Sequence, residues 1–134
     1  MATRRKRVLI ADDDRILSHM LATRLQAMGW AVDVAMDAMQ AVMFTRRTAP
    51  DVIVLDIAMP GGTGRKALES LKASSKLREI PVIVLSGSVD PNDEAAILAL
   101  GAVEFLRKPI DAEALDARLR ATLGEETPVV RDDD

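Results

Sequence analysis

Apolar positions along the chain fall into two alternating patterns. Val8–Ala11, Val52–Leu55 and Ile80–Leu85 are short, nearly unbroken apolar runs rich in β-branched residues. Such runs predict strands buried on both faces, as in a parallel sheet. Trp30–Ala35 alternates weakly and predicts a strand near a sheet edge, and Ala102–Leu106 predicts a fifth strand. Between the runs, apolar residues recur every three or four positions. Ile16, Leu17, Met20, Leu21, Leu25 and Met28 form one helical stripe, stopped by Gly29. Asp37 predicts the cap of a second helix, with Ala38, Ala41, Val42 and Phe44 facing inward. Gly64 opens a third, with Ala67, Leu68 and Leu71 on its buried face, and Ser74–Glu79 follows as a polar loop.

Asp90 and Pro91 read as cap and first residue of a fourth helix, which Asp93 and Glu94 favour at its positive end and Gly101 ends. Asp111 caps a fifth, with Leu115, Leu119 and Leu123 on one face and Gly124 closing it. Strand and helix thus alternate five times through short connections. That pattern predicts an α/β fold with a doubly wound, five-stranded parallel sheet and five helices. Residues 1–124 are expected to form one domain, and residues 125–134 a polar tail or the start of a linker.

Composition narrows the chemistry. The chain has 134 residues, enough for one real core, and its 49% apolar and 29% charged residues are those of a globular protein. Aromatics make up only 2%, so aliphatic residues and Met must fill the core, and the seven Met are expected there. The net charge of −3 makes no case for direct binding of nucleic acid or an anionic membrane, and no apolar run approaches a membrane span. There is no Cys, which removes thiolate metal sites and thiol nucleophiles and fits a cytoplasmic setting. The basic start, Arg4-Arg5-Lys6-Arg7, reads as a solvated lead-in to the first strand, because the apolar run after it meets Asp12 too soon for a signal peptide. His19, alone on the first helix, is assigned no role.

The ends of the predicted strands carry the candidate chemistry. The first ends in Asp12 and Asp13, the third in Asp56, the fourth in Ser86, and the fifth runs into Lys108. In a parallel sheet these ends share one edge, where open α/β sheets bind ligands. Three carboxylates make a hard oxygen site suited to Mg²⁺, with Mn²⁺ as an alternative. A hydroxyl and an ammonium suit phosphoryl oxygens, and the central Asp56 is placed to attack phosphorus and form an aspartyl-phosphate. Asp14 reads as a helix cap and Arg107 as a solvated or partner-facing residue.

Asp12-Asp13, Asp56, Met59-Pro60, Gly64 eight residues past Asp56, Ser86 and Lys108-Pro109 occur in this order. Together they resemble the receiver domain of two-component response regulators, of the chemotaxis-regulator type, over residues 7–124. The resemblance implies a flavodoxin-like sheet of order 2-1-3-4-5. It implies Asp56 as phosphoacceptor, and Asp12, Asp13, Asp56 and the Ala58 carbonyl as Mg²⁺ ligands. Lys108 would pair with the phosphoryl group, Ser86 would move towards it, and Phe105 would be the switch aromatic. A cis bond before Pro109 is implied. The implied donor is a histidine kinase or histidine phosphotransfer protein. The implied output is the face of helix 4, strand 5 and helix 5, turned to a downstream protein or a second copy of the chain. Ala58 and Ser88, each two residues past a site residue, offer neither carboxylate nor amide to orient a hydrolytic water. Met39 stands where many such domains have glycine. Two rivals remain. Asp12, Asp14 and Ser86 also suit an aspartyl-phosphate hydrolase of the haloacid dehalogenase type, though that would leave Asp56 unexplained. A receiver-like module that is never phosphorylated is the other.

Overall fold

The structure is a computed structural model and describes residues 5–59, 64–87 and 91–125. The order is β1 (Arg7–Ala11), α1 (Arg15–Ala27), β2 (Ala31–Ala35), α2 (Ala38–Thr48), β3 (Val52–Asp56), α3 (Gly64–Ala73), β4 (Val82–Ser86), α4 (Pro91–Ala99), β5 (Glu104–Arg107) and α5 (Ala112–Thr122). All strands are parallel, in the order β2-β1-β3-β4-β5. The doubly wound, five-stranded sheet with five helices is therefore as the apolar pattern predicts.

The side-chain period of two splits each central strand between two cores. Leu9, Ala11, Ile53, Leu55, Val82 and Val84 face α2, α3 and α4. Val8, Ile10, Val52, Val54, Ile83 and Leu85 face α1 and α5. Every residue of β3 and β4 is buried, whereas β2 and β5, at the edges, are mostly half-buried.

Caps fix where the helices begin. The carboxylates of Asp14, Asp37 and Asp111 accept from the backbone N–H of Leu17, Gln40 and Ala114. Each satisfies a donor with no partner inside the helix. The Asp90 cap expected for α4 lies outside the described residues, although α4 does begin at Pro91. Gly29, Gly101 and Gly124 follow α1, α4 and α5 with φ of 103°, 115° and 75°, the left-handed region in which helix ends favour glycine.

Several details depart from the sequence reading. β4 starts at Val82, two residues late, and β5 at Glu104. Leu77, in the expected polar loop, is buried. Thr45 is buried on α2 and returns its hydroxyl to Ala41 O at 2.7 Å. The Met residues are not all core filler: Met59 is buried, but Met20, Met39 and Met43 are exposed on the outer surfaces of α1 and α2.

Candidate functional site

Three strand ends and the loop after β5 meet at the carboxyl edge of the sheet. β1 and β3 are neighbours, so Asp12, one residue past β1, stands beside Asp56, the last residue of β3. Asp12, Asp13 and Asp56 each offer an oxygen within 4.8 Å of the other two. Asp12 and Asp56 are buried, with 2% and 6% exposure, and Asp13 is exposed. β4 delivers Ser86, also buried, on the other side of β3. Lys108 follows β5, and its N–H donates to Ser86 O at 2.9 Å, which holds the lysine backbone against the end of β4. The Lys108-Pro109 peptide bond is cis.

Local hydrogen bonds aim the carboxylates. Asp12 Oδ1 accepts from the Asp14 N–H at 2.9 Å, and the Asp12 carbonyl accepts from the buried Ser18 hydroxyl at 3.1 Å. Asp56 Oδ1 accepts from the Ala58 N–H at 3.0 Å. The remaining oxygens turn to Lys108, whose Nζ lies 2.8 Å from Asp12 Oδ2 and 3.3 Å from Asp56 Oδ2. Burial alone would lower the Lys108 pKa, but Asp12 and then Asp56 outweigh it and hold the pKa above the usual lysine value.

One cation thus faces three carboxylates. Asp12 Oδ2 is buried, and its one partner among the described residues is the Lys108 ammonium at 2.8 Å. A buried carboxylate oxygen with an unused lone pair, beside two more carboxylates, fits a hard divalent cation.

Gly64 sets the floor of the site. A Cβ there would fall 2.5 Å from Ile57 Cα and against the Asp56 carbonyl oxygen, so only glycine lets α3 start this close to the end of β3. Phe105 lies apart from the acidic cluster. Its half-buried ring packs on the core under α2, α3 and α4, with the Arg107 guanidinium 5.6 Å from its centroid. Arg107 is exposed, as expected, and pairs with Glu94 of α4 at 3.1 Å. Every expected site residue except Phe105 converges at the sheet edge. Ser88 lies outside the described residues. Ser18 was missed by the sequence reading, and its one signal is a hydroxyl on the apolar stripe of α1.

Residues 8–120 match the family described as the response regulator receiver domain. The chain belongs to that family. It is 35% identical over 123 residues to the DNA-binding response regulator MtrA of Mycobacterium tuberculosis, covering 92% of this chain and 53% of that one. The chain spans about half the length of the curated relatives it matches. Among solved structures, chemotaxis response regulator CheY4 of Vibrio cholerae superposes with a TM-score of 0.82 at 28% identity, covering 88% of this chain and 98% of that one. The receiver domain of Francisella response regulator 1452 gives 0.79 at 29% identity, covering 87% and 94%. The chain is a response regulator receiver domain of the two-component type, and neither the hydrolase nor the inert-module reading is favoured. No described helix is long and apolar enough to cross a membrane.

Proposed function

We propose that this receiver accepts a phosphoryl group on Asp56 from the phosphohistidine of a histidine kinase or histidine phosphotransfer protein. The observation that carries this is the aim of Asp56: Ala58 N–H holds one oxygen, and the other turns to the Lys108 ammonium at 3.3 Å. The Asp56 oxygen attacks phosphorus, an O–P bond forms and the P–N bond to the donor imidazole breaks. The imidazole leaves as the neutral base once it holds a single proton. Because charge spreads over the phosphoryl oxygens, placement and countercharge supply most of the catalysis.

Asp12, Asp13, Asp56 and the Ala58 carbonyl would hold Mg²⁺ or Mn²⁺, which when bound supplies positive charge to the phosphoryl oxygens. Lys108 balances charge from the other side, released from Asp56 towards the new group on its flexible stem. The Ser86 hydroxyl then donates to a phosphoryl oxygen, and Phe105 turns inward into the space this opens. Its ring has no hydroxyl, so burial costs it no hydrogen bond. The face of α4, β5 and α5 changes with it, biasing a pre-existing equilibrium towards a downstream protein or a second copy of the chain. Ala58 offers no polar side chain to orient a hydrolytic water on the acyl phosphate.

The name of the mycobacterial relative includes DNA binding; with a net charge of −3, this chain is assigned an output through protein contact in the cytoplasm. Residues 1–124 are assigned as the domain, and the tail or linker expected over residues 125–134 lies, beyond Glu125, outside the described residues. Incubation with Mg²⁺ and acetyl phosphate adds one phosphoryl group by intact mass, and Asp56→Asn prevents it. Equal labelling of the variant, or labelling at Asp12, would overturn the assignment in favour of hydrolase-type chemistry.

A further inference from the structure

Several arginines of the described fold pair with a nearby carboxylate. Arg7 faces Asp33, Arg24 faces Glu113, Arg107 faces Glu94, and Arg118 faces Glu104. Arg46 of α2 and Lys76 after α3 depart from this. A groove of about 350 Å³ lies between the two helices, and a second hollow of about 610 Å³ continues it towards the α3–β4 loop, with Arg46 in the wall of both. Arg46, Lys66 and Lys76 line this trough, and among the described lining residues there is no carboxylate. Arg46 and Lys76 enter no ion pair among the described residues.

Helix stability does not account for all these cations. Arg46 is in the last turn of α2, where the helix dipole favours positive charge. Lys66, with Arg65, is in the first turn of α3, at the positive pole, and no acidic residue joins them there. The dipole disfavours both. The apolar part of the trough is as distinctive. Met39 and Met43, one turn apart on α2, are 66% and 47% exposed above Val42. Methionine side chains adapt to a partner's shape more readily than branched ones.

We propose that the trough between α2 and α3 is a docking groove for an acidic amphipathic helix of a partner protein. Charge complementarity selects the occupant: Arg46 and Lys76, with no carboxylate among the described lining residues, match a row of carboxylates. The methionine pair matches apolar anchors spaced one turn apart, as when a helix lies in a groove. Nucleic acid fits less well, since no aromatic residue lines the trough to stack on a base. The inference stands apart from phosphate acceptance, because none of the lining residues belongs to the acceptor site.

The test uses the full chain and a synthetic helical peptide with leucines one turn apart and glutamates elsewhere on its surface. Amide chemical shifts should move along α2, α3 and the α3–β4 loop, and binding should weaken as salt rises. Arg46→Glu combined with Lys76→Glu should weaken it roughly tenfold or more while leaving acetyl phosphate labelling intact. A peptide of the same composition with its leucines scattered should bind more weakly. Shifts confined to α1 or to α4, β5 and α5, or no shifts at all, would overturn the proposal. So would equal binding by the charge-reversed variant or the scattered peptide, or tighter binding of a DNA duplex to the same residues.

Discussion

At Gly64 a single hydrogen decides whether α3 can start against the loop that follows Asp56. The residue is buried, and its N–H donates to Ile57 O at 2.9 Å, so α3 begins directly on the loop that follows Asp56. Gly64→Ala would drive a methyl group into main-chain atoms, which cannot swing aside as a side chain would. The helix start must back away, taking the Ile57 carbonyl contact with it. We expect a loss of about 1–3 kcal/mol in urea unfolding, the usual cost of overpacking, together with slower labelling by acetyl phosphate. An alanine variant that matches the parent in both would show that the close approach is dispensable. The reason for this glycine was not readable from spacing alone. Family resemblance placed it, but the clash that requires it is made by backbone atoms seven and eight positions earlier.

The turn after α1 is joined to α5, on the same face of the sheet, by a buried polar contact far apart in sequence. The Trp30 indole N–H donates to Asp116 Oδ1 at 2.7 Å, and Arg120 donates to the same oxygen at 2.9 Å while its guanidinium lies 5.3 Å from the Trp30 ring centroid. Arg120 also donates to Met28 O at the end of α1 and to Glu125 after α5. Asp116→Ala leaves a buried indole N–H without an acceptor and removes one of the three partners of Arg120. An unsatisfied buried donor costs about 1–3 kcal/mol, so urea unfolding should register a loss in that range. Trp30 is the only tryptophan, so its fluorescence reports on this contact directly. Unchanged stability and an unchanged emission spectrum would mean that the contact holds nothing.

The elements themselves were legible because β1, β3 and β4 are buried on both faces and the helices carry apolar stripes and aspartate caps. Their edges were less so. Pro81 has no N–H for the sheet, and the carbonyl of Ile80 is taken by the Lys72 ammonium at 3.0 Å, so β4 starts late despite the apolar run before it. Asp116 drew no attention because its partner lies 86 positions away. The proposed acceptor site was readable for the opposite reason. In a parallel sheet every strand end reaches the same edge, so residues distant in sequence meet wherever the strands stop.

On the scale of the whole molecule, the acidic edge trades stability for a site. Asp12, Asp13 and Asp56 hold oxygens within 4.8 Å of one another, and Lys108 offsets only part of their repulsion. Asp12 and Asp56 gain from the lysine. Asp13 is exposed and enters no ion pair among the described residues, so near neutral pH it adds repulsion with little return. Its removal should therefore act against the usual direction of a mutation: Asp13→Ala should raise the melting temperature in EDTA. Mg²⁺ that binds the folded cluster and not the unfolded chain adds stability by mass action, about 2.7 kcal/mol at roughly a hundredfold excess over Kd. For a domain of this size that is a rise of roughly 10 °C. Wild type should show this increment and Asp13→Ala should lose most of it. Four thermal melts, each protein with EDTA and with saturating Mg²⁺, separate the two claims. A variant less stable than wild type in EDTA would mean that the carboxylates do not strain the fold. A variant that gains from Mg²⁺ as wild type does would place the cation elsewhere, and with it the countercharge on which the proposed phosphate acceptance at Asp56 depends.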